Sequence, residues 1–392
     1  MGVISSVGQS PAEIISSLRE QRAAFEKCVH YKDVVTAPIK DFSARTFTGP
    51  FKEGRYLNRG AQFAVASAVE AIKNSGYRKE DLAQAGLFVG CGPNLDIGGE
   101  FPEIQEGVMD RRDLQALWIL KFLPNTAASV IAKLSGMHGE NLTISTACSA
   151  SLQAIGEAFR KIKDGYLELA FAGGGDSRLS PGGILAYRKA HALYSGNGIP
   201  GEASRPFDFS RSGFVPGEGG AFFLLEEFEK AKKRGAKIYG EICGYGNSLD
   251  AYSMTAPDKH GEKGKIALMA ALNEAGMSPQ TIDVISAHGT GTVLNDEREA
   301  RLIHDLYGKN KPHVIALKSW IGHTASACGA LELAISLVCM RESYLPKIRN
   351  LREPCHKEIN FVLKGKTFPF STLLIENFGF GGQNSALVVR SY

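Results

Sequence analysis

The chain has 392 residues, of which 44% are hydrophobic and 22% charged, a composition typical of a globular protein with more chain than one small core needs. Its net charge of +4 is too small to indicate nucleic-acid binding and mildly favours an acidic partner. No signal-peptide pattern or run of about 18 apolar residues is present, so we expect a cytoplasmic location without membrane insertion. Seven scattered cysteines without a CxxC pair argue against disulfides and a zinc site.

Two segments about 200 positions apart, residues 66–90 and 267–288, share one pattern of elements. In each, apolar residues at helical spacing end at a glycine, Gly76 or Gly276, and a polar turn leads into a short apolar run. Such a run is typical of a buried strand. Each segment is therefore predicted to be a helix, a turn and a strand.

A second matching pair consists of the small-residue-rich helices predicted at residues 147–160 and 322–337, each of which follows a β-type segment. A chance match between ordinary α/β segments is the alternative. We interpret both pairs as an internal duplication of a β/α unit with parallel sheets. A boundary near Gly235 divides the chain into an N-terminal half, 1–235, and a C-terminal half, 236–392.

Cys148 follows a β-branched segment, residues 142–146, and is predicted to lie at the start of a helix. Unpaired backbone N–H groups and the helix dipole favour a thiolate at such a position. The small residues that follow, Ser149 to Ser151, leave room for a substrate beside the sulfur. A buried cysteine with only a packing role is the alternative.

Two histidines occupy matching places in the C-terminal half. His288 stands at the carboxyl end of a predicted strand, where α/β folds expose functional groups, and Gly289 and Gly291 allow a tight loop after it. His323 begins the helix that mirrors the helix of Cys148. Two neutral imidazoles could donate N–H groups to one thioester oxygen and stabilise an enolate. For each histidine alone, a structural role is the alternative.

Six motifs occur in order along nearly the whole chain: TACSAS at Cys148, RPFDFSRSGFVPGEGGAFFLLE from Arg205, DAYSMTAP from Asp250, AHGTGT at His288, KSWIGHTASACGALEL from Lys318 and NFGFGGQN from Asn377. Together they resemble the β-ketoacyl synthases of the thiolase superfamily, in the Cys-His-His class that elongates acyl chains. The resemblance implies a thiolase-like α/β fold whose duplicated halves form a layered αβαβα arrangement.

The resemblance also implies a role for each matching residue. Cys148 corresponds to the acyl-accepting nucleophile, and His288 with His323 to the pair that polarises a malonyl thioester during decarboxylation. Lys318 corresponds to a lysine that supports the site electrostatically. Glu299 corresponds to a carboxylate held near this network.

The glycine-rich loop is implied to complete the site. Phe380, between Gly379 and Gly381, corresponds to a gating residue beside Cys148, and the backbone N–H groups of both residues would form the oxyanion hole. The implied chemistry moves an acyl group from acyl carrier protein to Cys148 and then condenses it with malonyl carrier protein. No metal or redox cofactor is required.

Three departures from the family pattern indicate a divergent branch. The first strand is short, at Val3 and Ile4, unless the numbered chain starts late. Asn295-Asp296 stands where Gly-Asp is usual, and Ser212 where aspartate is common. A branch serving polyketide or polyene synthesis, instead of bulk fatty-acid synthesis, fits these departures.

Three other functions are alternatives to this interpretation. A thiolase would need a second cysteine in the late glycine-rich loop, which has none, and an initiating synthase would have a Cys-His-Asn set. A non-catalytic chain-length partner subunit typically lacks the nucleophile, and the presence of Cys148 argues against it.

Two predictions concern partners. Arg55 and Arg59 lie four residues apart and are predicted to share one face at the start of an amphipathic helix, where they could dock the acidic carrier protein. An ordinary solvated basic face is the alternative. The resemblance also implies a dimer, a homodimer or a heterodimer with a related subunit, paired through the strand of Leu142 and Ile144. If that strand lay at a free sheet edge, it would favour aggregation unless a second subunit paired with it.

Overall fold

The computed structural model describes residues 1–93, 116–308 and 312–392. Its strands are β1 Gly2–Ile4, β2 Glu26–Lys27, β3 Val35–Thr36, β4 Gly86–Gly90, β5 Asn141–Ile144, β6 Leu169–Ser177, β7 Glu218–Glu226, β8 Glu241–Leu249, β9 Val284–Ser286, β10 His313–Ile315, β11 Tyr344–Leu345, β12 Lys366–Thr367, β13 Thr372–Gly379 and β14 Gln383–Arg390. Its helices are α1 Pro11–Arg19, α2 Arg45–Thr48, α3 Arg59–Lys73, α4 Thr126–Ser135, α5 Ala150–Lys163, α6 Pro181–Lys189, α7 Phe228–Lys233, α8 Glu262–Glu274, α9 Val293–Tyr307, α10 Lys318–Ile321 and α11 Cys328–Arg341.

Two five-stranded sheets repeat one topology. The first has the order β1-β7-β6-β4-β5 and the second β8-β14-β13-β9-β10. In each sheet, the last three strands of this order are parallel, whereas the second strand, β7 or β14, runs antiparallel to both of its neighbours. The predicted duplication is confirmed. The prediction of parallel sheets is wrong for part of each sheet; for example, the short loop between β13 and β14 permits only antiparallel pairing.

Helices cover both sheets and fill the space between them. α3 and α4 cover the outer face of the first sheet, α8 with α9 covers the outer face of the second, and α5 and α11 lie between the sheets. All residues from Cys328 to Met340 in α11 are buried, as expected of a helix with apolar or small residues on every side. The layers are therefore α, β, α, β, α, as the sequence analysis predicts.

The first strand predicted at Val3 and Ile4 is present as β1, which pairs antiparallel with β7.

No helix within the described ranges is long and apolar enough to cross a bilayer.

Two matching turns place the functional residues at the centre of the molecule. A 3-10 turn, Ala147–Ser149, precedes α5, and another, Ala325–Ala327, precedes α11. Each turn begins with an alanine at positive φ, +48° at Ala147 and +46° at Ala325. The two turns contact each other, so the duplicated halves bring their carboxyl-end loops to one place.

Candidate active site

Cys148 lies in the first of these turns and is held against the glycine-rich loop. The Ser149 hydroxyl contacts the carbonyl oxygen of Gln383 at 2.8 Å, which fixes the turn to β14. A Cβ atom on Gly379 would lie 3.0 Å from the Cys148 backbone nitrogen. Glycine at position 379 therefore lets the loop approach the nucleophile closely.

The Cys148 thiol is half-buried and contacts two donors. Its sulfur lies 3.2 Å from His323 Nε2, and the Phe380 backbone N–H is directed at it. Burial raises the pKa of this thiol to about 11, although the Lys318 cation and the Phe380 N–H oppose that rise. Desolvation therefore outweighs the nearby positive groups, and the contribution of the helix start to the thiolate stays a prediction.

The hydrogen-bond partners of the two imidazoles define their tautomers. Nδ1 of His288 faces Lys318 Nζ at 3.2 Å and Asn377 Nδ2 at 3.4 Å, and both of these groups are donors. Nδ1 of His323 accepts from the backbone N–H of Ala325 at 3.2 Å. Both Nδ1 atoms are thus acceptors, so Nε2 carries the proton in each neutral ring.

Both histidines are neutral at physiological pH. Burial, reinforced by the positive charge of Lys318, lowers the pKa of His288 and of His323 well below the ordinary value. The rings are perpendicular, with centroids 5.5 Å apart. The site thus presents two neutral N–H donors beside one thiol, as the sequence analysis expected.

Lys318 is held by two residues that sequence reasoning missed. Its ammonium group donates to Glu332 Oε1 at 2.5 Å, and Asn377 Nδ2 donates to Glu332 Oε2 at 2.8 Å. Burial by itself would lower the pKa of Lys318, but the Glu332 carboxylate, together with the nearby Cys328 and Cys148 thiols, raises it overall. A signal for Glu332 was available, because it is the charged residue within an otherwise apolar stretch of α11.

Glu299 acts on the histidine loop through the backbone. Its carboxylate accepts from the N–H of His288 at 2.5 Å and from the N–H of Gly289 at 2.8 Å. Asp296 accepts similarly from the N–H of Gly291 at 3.1 Å. Both carboxylates are fully buried, so this pair shapes the loop that presents His288.

Phe380 borders the cavity that leads to Cys148, and its side chain is 40% exposed. The cavity encloses about 540 Å³ and is lined by residues of both halves, including both histidines, Arg178, Tyr187, Ser212, Asn295 and Arg298. Gly381 beside it has φ +79°, a conformation that favours glycine. The gating role of Phe380 stays a prediction.

Cys148, His288 and His323 have ligand-type atoms within 4.8 Å of one another, a spacing that a metal ion could bridge. Metal binding would require bare Nε2 atoms and protonated Nδ1 atoms. The donors that face both Nδ1 atoms disfavour that tautomer. The donor set therefore fits hydrogen bonding to a substrate better than it fits a metal.

The structural premise for docking through Arg55 and Arg59 is wrong. Arg55 lies in a separate 3-10 turn, Lys52–Tyr56, because Asn58 caps α3 and ends the preceding segment. Arg59 donates to the buried Glu218 carboxylate at 2.7 Å and to the carbonyl oxygen of Ile39. Arg59 therefore contributes to the fold, whereas Arg55 remains an exposed basic residue.

Comparisons with known proteins agree with this geometry. Residues 1–231 match the family model "Beta-ketoacyl synthase, N-terminal domain", and residues 239–352 match "Beta-ketoacyl synthase, C-terminal domain". The chain is 31% identical to 3-oxoacyl-[acyl-carrier-protein] synthase 2 of Vibrio harveyi, covering 100% of this chain and 97% of that protein. It is 34% identical to the oxytetracycline polyketide putative beta-ketoacyl synthase 1 of Streptomyces rimosus, covering 90% and 89%.

Solved structures show the same likeness. A beta-ketoacyl synthase from Burkholderia phymatum superposes with a TM-score of 0.90 at 28% identity, covering 100% of this chain and 98% of the other. The ishigamide ketosynthase/chain length factor gives 0.89 at 28% identity, covering 100% and 97%. A ketosynthase in complex with its type II PKS acyl-carrier protein gives 0.87 at 26% identity, covering 100% and 98%. The chain belongs to the β-ketoacyl synthase family.

Proposed function

We propose that this chain is an acyltransferase that performs a decarboxylative Claisen condensation in fatty-acid or polyketide chain elongation. An acyl group on Cys148 is joined to malonyl-acyl carrier protein, which gives a β-ketoacyl carrier protein. The observation that carries this proposal is the 3.2 Å contact between Cys148 Sγ and the neutral His323 Nε2–H, with His288 beside it.

The first stage is acyl transfer. The Cys148 sulfur attacks the carbonyl carbon of an acyl thioester, the carbon–sulfur bond to the carrier breaks, and the proton of Cys148 ends on the carrier thiol. The backbone N–H groups of Phe380 and Cys148 are proposed to stabilise the oxyanion. Electrostatic attraction from Lys318 favours the thiolate during this step.

The second stage is condensation. The malonyl carboxylate leaves as carbon dioxide, and its bonding electrons form an enolate, whose oxygen accepts from the Nε2–H groups of His288 and His323. The enolate carbon attacks the acyl group, and Cys148 leaves as a thiolate that regains a proton. Burial, reinforced by the positive charge of Lys318, keeps both imidazoles neutral. Glu299 is proposed to position His288 through its backbone.

The partners proposed are acyl carrier protein, in acyl and malonyl forms, and a second ketosynthase-like subunit. The ketosynthase complex with its carrier protein supports the first, and the ketosynthase/chain length factor structure supports the second. β5 lies at the edge of its sheet with Leu142 41% exposed, an arrangement that a partner strand could cover.

Intact-mass spectrometry after incubation with a panel of acyl carrier proteins tests the function. We expect an acyl adduct on Cys148 and elongation when malonyl carrier protein is added. Elongation by Cys148→Ala would refute the assignment. Light scattering on the purified chain tests the assembly. A homodimer would have a mass near twice 42.2 kDa. A stable, active monomer would contradict the proposed dimer.

A non-catalytic chain-length partner is the second candidate. Faster iodoacetamide labelling of Cys148 than of the six other cysteines would argue against this candidate. Cys148→Gln tests the half-reactions: we expect this variant to release carbon dioxide from malonyl carrier protein without an acyl donor, because both histidine donors remain. Absence of release would count against separable half-reactions. The cytoplasmic location stays a prediction.

A further inference from the structure

The loop that presents His288, residues 288–291, is held by two buried carboxylates. Glu299 accepts from the backbone N–H groups of its first two residues at 2.5 and 2.8 Å, and Asp296 accepts from those of its last two at 3.0 and 3.1 Å. Each backbone donor of the loop is thus bound to one of two side chains on α9. The position of the His288 imidazole in the cavity wall therefore depends on how these carboxylates are placed.

Asn295 connects the two carboxylates. Its Nδ2 donates to Asp296 Oδ1 at 3.2 Å and to Glu299 Oε2 at 2.9 Å, and the residue is 9% exposed. A carboxylate oxygen only accepts, so both contacts require the amide nitrogen at this place. Asn295 is one of the departures from the family pattern, where the usual glycine has no side-chain donor. The connection is therefore a feature of this chain, and the proposed chemistry does not use it.

The Asp296 carboxylate depends on its donors to stay ionised. Burial and the negative charge of Glu299 raise its pKa to about 6, whereas the Phe207 N–H, the Arg211 cation and the Asn295 amide oppose the rise. The Phe207 nitrogen lies 2.7 Å from Asp296 Oδ2, and Arg211 Nε lies 3.9 Å from it. The Asn295 amide also donates to Glu299, so it reduces the repulsion within the pair.

Other ionisable groups surround Glu299. Those close enough to interact electrostatically with it are Arg298, Glu332 and Glu376. Burial and the Glu299 charge raise the pKa of Glu376 well above its ordinary value, so Glu376 is neutral. The other two are paired, with Asp250 at 3.8 Å and with Lys318 at 2.5 Å. The main repulsion at this place is therefore within the carboxylate pair that holds the loop.

We propose that Asn295 is a positioning residue for the condensation step. By donating to Asp296 and Glu299 together, it holds both carboxylates against the loop 288–291 and so keeps the His288 Nε2–H directed at the malonyl thioester. This inference rests on the proposed function, because His288 acts there on that thioester.

Asn295→Asp tests this role, because the two side chains have nearly the same shape but the new carboxyl donates only when it is protonated. Burial and two neighbouring carboxylates should raise the pKa of the new group above the ordinary value of about 4. Below that raised pKa the group still donates to a neighbour, and above it the group repels both. We expect the variant-to-wild-type ratio of condensation rates to fall about tenfold between roughly pH 5.5 and 8. Asn273→Asp adds the same charge at an exposed position of α8 and is the matched control, which should keep a constant ratio.

Asn295→Gly removes the donor without adding a charge. Cys148 acylation, followed by intact mass, uses the contact between the sulfur and His323, whereas the proposed condensation uses both histidines. We expect the condensation rate to fall about fivefold more than the acylation rate. A role in packing alone would lower both rates by the same factor. This variant also carries the test if Asn295→Asp does not fold.

Two kinetic outcomes would overturn this inference: a ratio that does not change with pH in Asn295→Asp, or equal losses of acylation and condensation in Asn295→Gly. Thermal denaturation tests the carboxylate connection without any activity. The stability of Asn295→Asp relative to wild type should fall as the pH rises above about 4, because the new carboxyl binds its proton more tightly in the folded state. A constant difference would also contradict the inference. Failure of wild-type Cys148 to accept any acyl group would instead refute the proposed function.

Discussion

The turn before α5 and the turn before α11 have the same backbone but different chemistry. Each begins with a positive-φ alanine, and the next residue is Cys148 in one turn and Ser326 in the other. The sulfur of Cys148 meets His323 Nε2 and the Phe380 N–H. Ser326 is 1% exposed, and its backbone N–H donates to Asp176 Oδ2 at 3.0 Å.

The comparison shows that the turn alone does not make a nucleophile. Both turns lie at the start of a helix, yet only Cys148 has a donor imidazole against its side chain. Cys328, the first residue of α11, illustrates the same point: its thiol donates to the carbonyl oxygen of Cys148 at 3.0 Å, and burial raises its pKa well above the ordinary value. Reactivity here comes from the surrounding groups.

The largest effect is expected at the nucleophile. Cys148→Ala should abolish condensation while the fold persists, because alanine suits the turn and removes the sulfur. Ser326→Ala, the equivalent change in the other turn, should lower activity by only a few-fold. Activity is measured as elongation of an acyl carrier protein, and folding by thermal denaturation.

A transplanted thiol tests the comparison directly. Cys148→Ala combined with Ser326→Cys should not regain activity, since position 326 lacks the donors that surround Cys148. Intact mass should show no acyl adduct. Recovery of elongation in this double variant would show that the turn itself is sufficient.

The second largest effect is expected at the buried Lys318–Glu332 pair, which adjoins His288. Lys318→Met should lower the free energy of unfolding by roughly 3 to 5 kcal/mol, because Glu332 is left buried and unpaired. Adding Glu332→Gln should restore much of that stability but not the activity, since the Lys318 cation beside both imidazoles and the Cys148 thiol is still missing. Urea denaturation and elongation assays measure both.

An exposed pair is the matched control for that loss. Breaking the Glu297–Arg301 pair on α9, which is 46% and 63% exposed, should change stability by no more than about 0.5 kcal/mol. Equal losses for the two pairs would contradict the role given to burial.

The third prediction is a pH dependence. With its pKa at about 11, the Cys148 thiol should react with iodoacetamide at a rate that rises about tenfold per pH unit between roughly pH 7 and 10, since only the thiolate reacts. Cys148 should still label before Cys328, whose thiol is buried. Peptide mapping measures each site, and a plateau below about pH 9 would show that the helix start outweighs desolvation.

The smallest effect is expected at the surface of the first half. Arg55→Glu should weaken carrier-protein association a few-fold at low salt, with less effect at high salt. Lys263→Glu is the control, because Lys263 is exposed in the first turn of α8, the helix that corresponds to α3 in the other half. Unchanged affinity in Arg55→Glu would remove the docking prediction. Arg59→Glu is unsuitable here because it would oppose the buried Glu218.

The repeat and the site were predictable from the sequence because they depend on local pattern. The helix–strand segments at 66–90 and 267–288 correspond to α3–β4 and α8–β9 in the two sheets. Cys148, His288 and His323 each follow a β segment, and the carboxyl ends of neighbouring strands meet. Chain order and residue type were therefore sufficient to place these three residues together.

The protonation states and the supporting residues were decided by the tertiary structure. The thiol pKa depends on desolvation between the two sheets, which a helix-start pattern does not contain. Arg59 has its role through Glu218, 159 residues along the chain, and Glu332 contacts both Lys318 and Asn377, which are 14 and 45 residues away. The sequence by itself determined the duplicated α/β fold and its three reactive side chains; only folding decided which charges are buried together, because burial and pairing depend on distances across the whole chain.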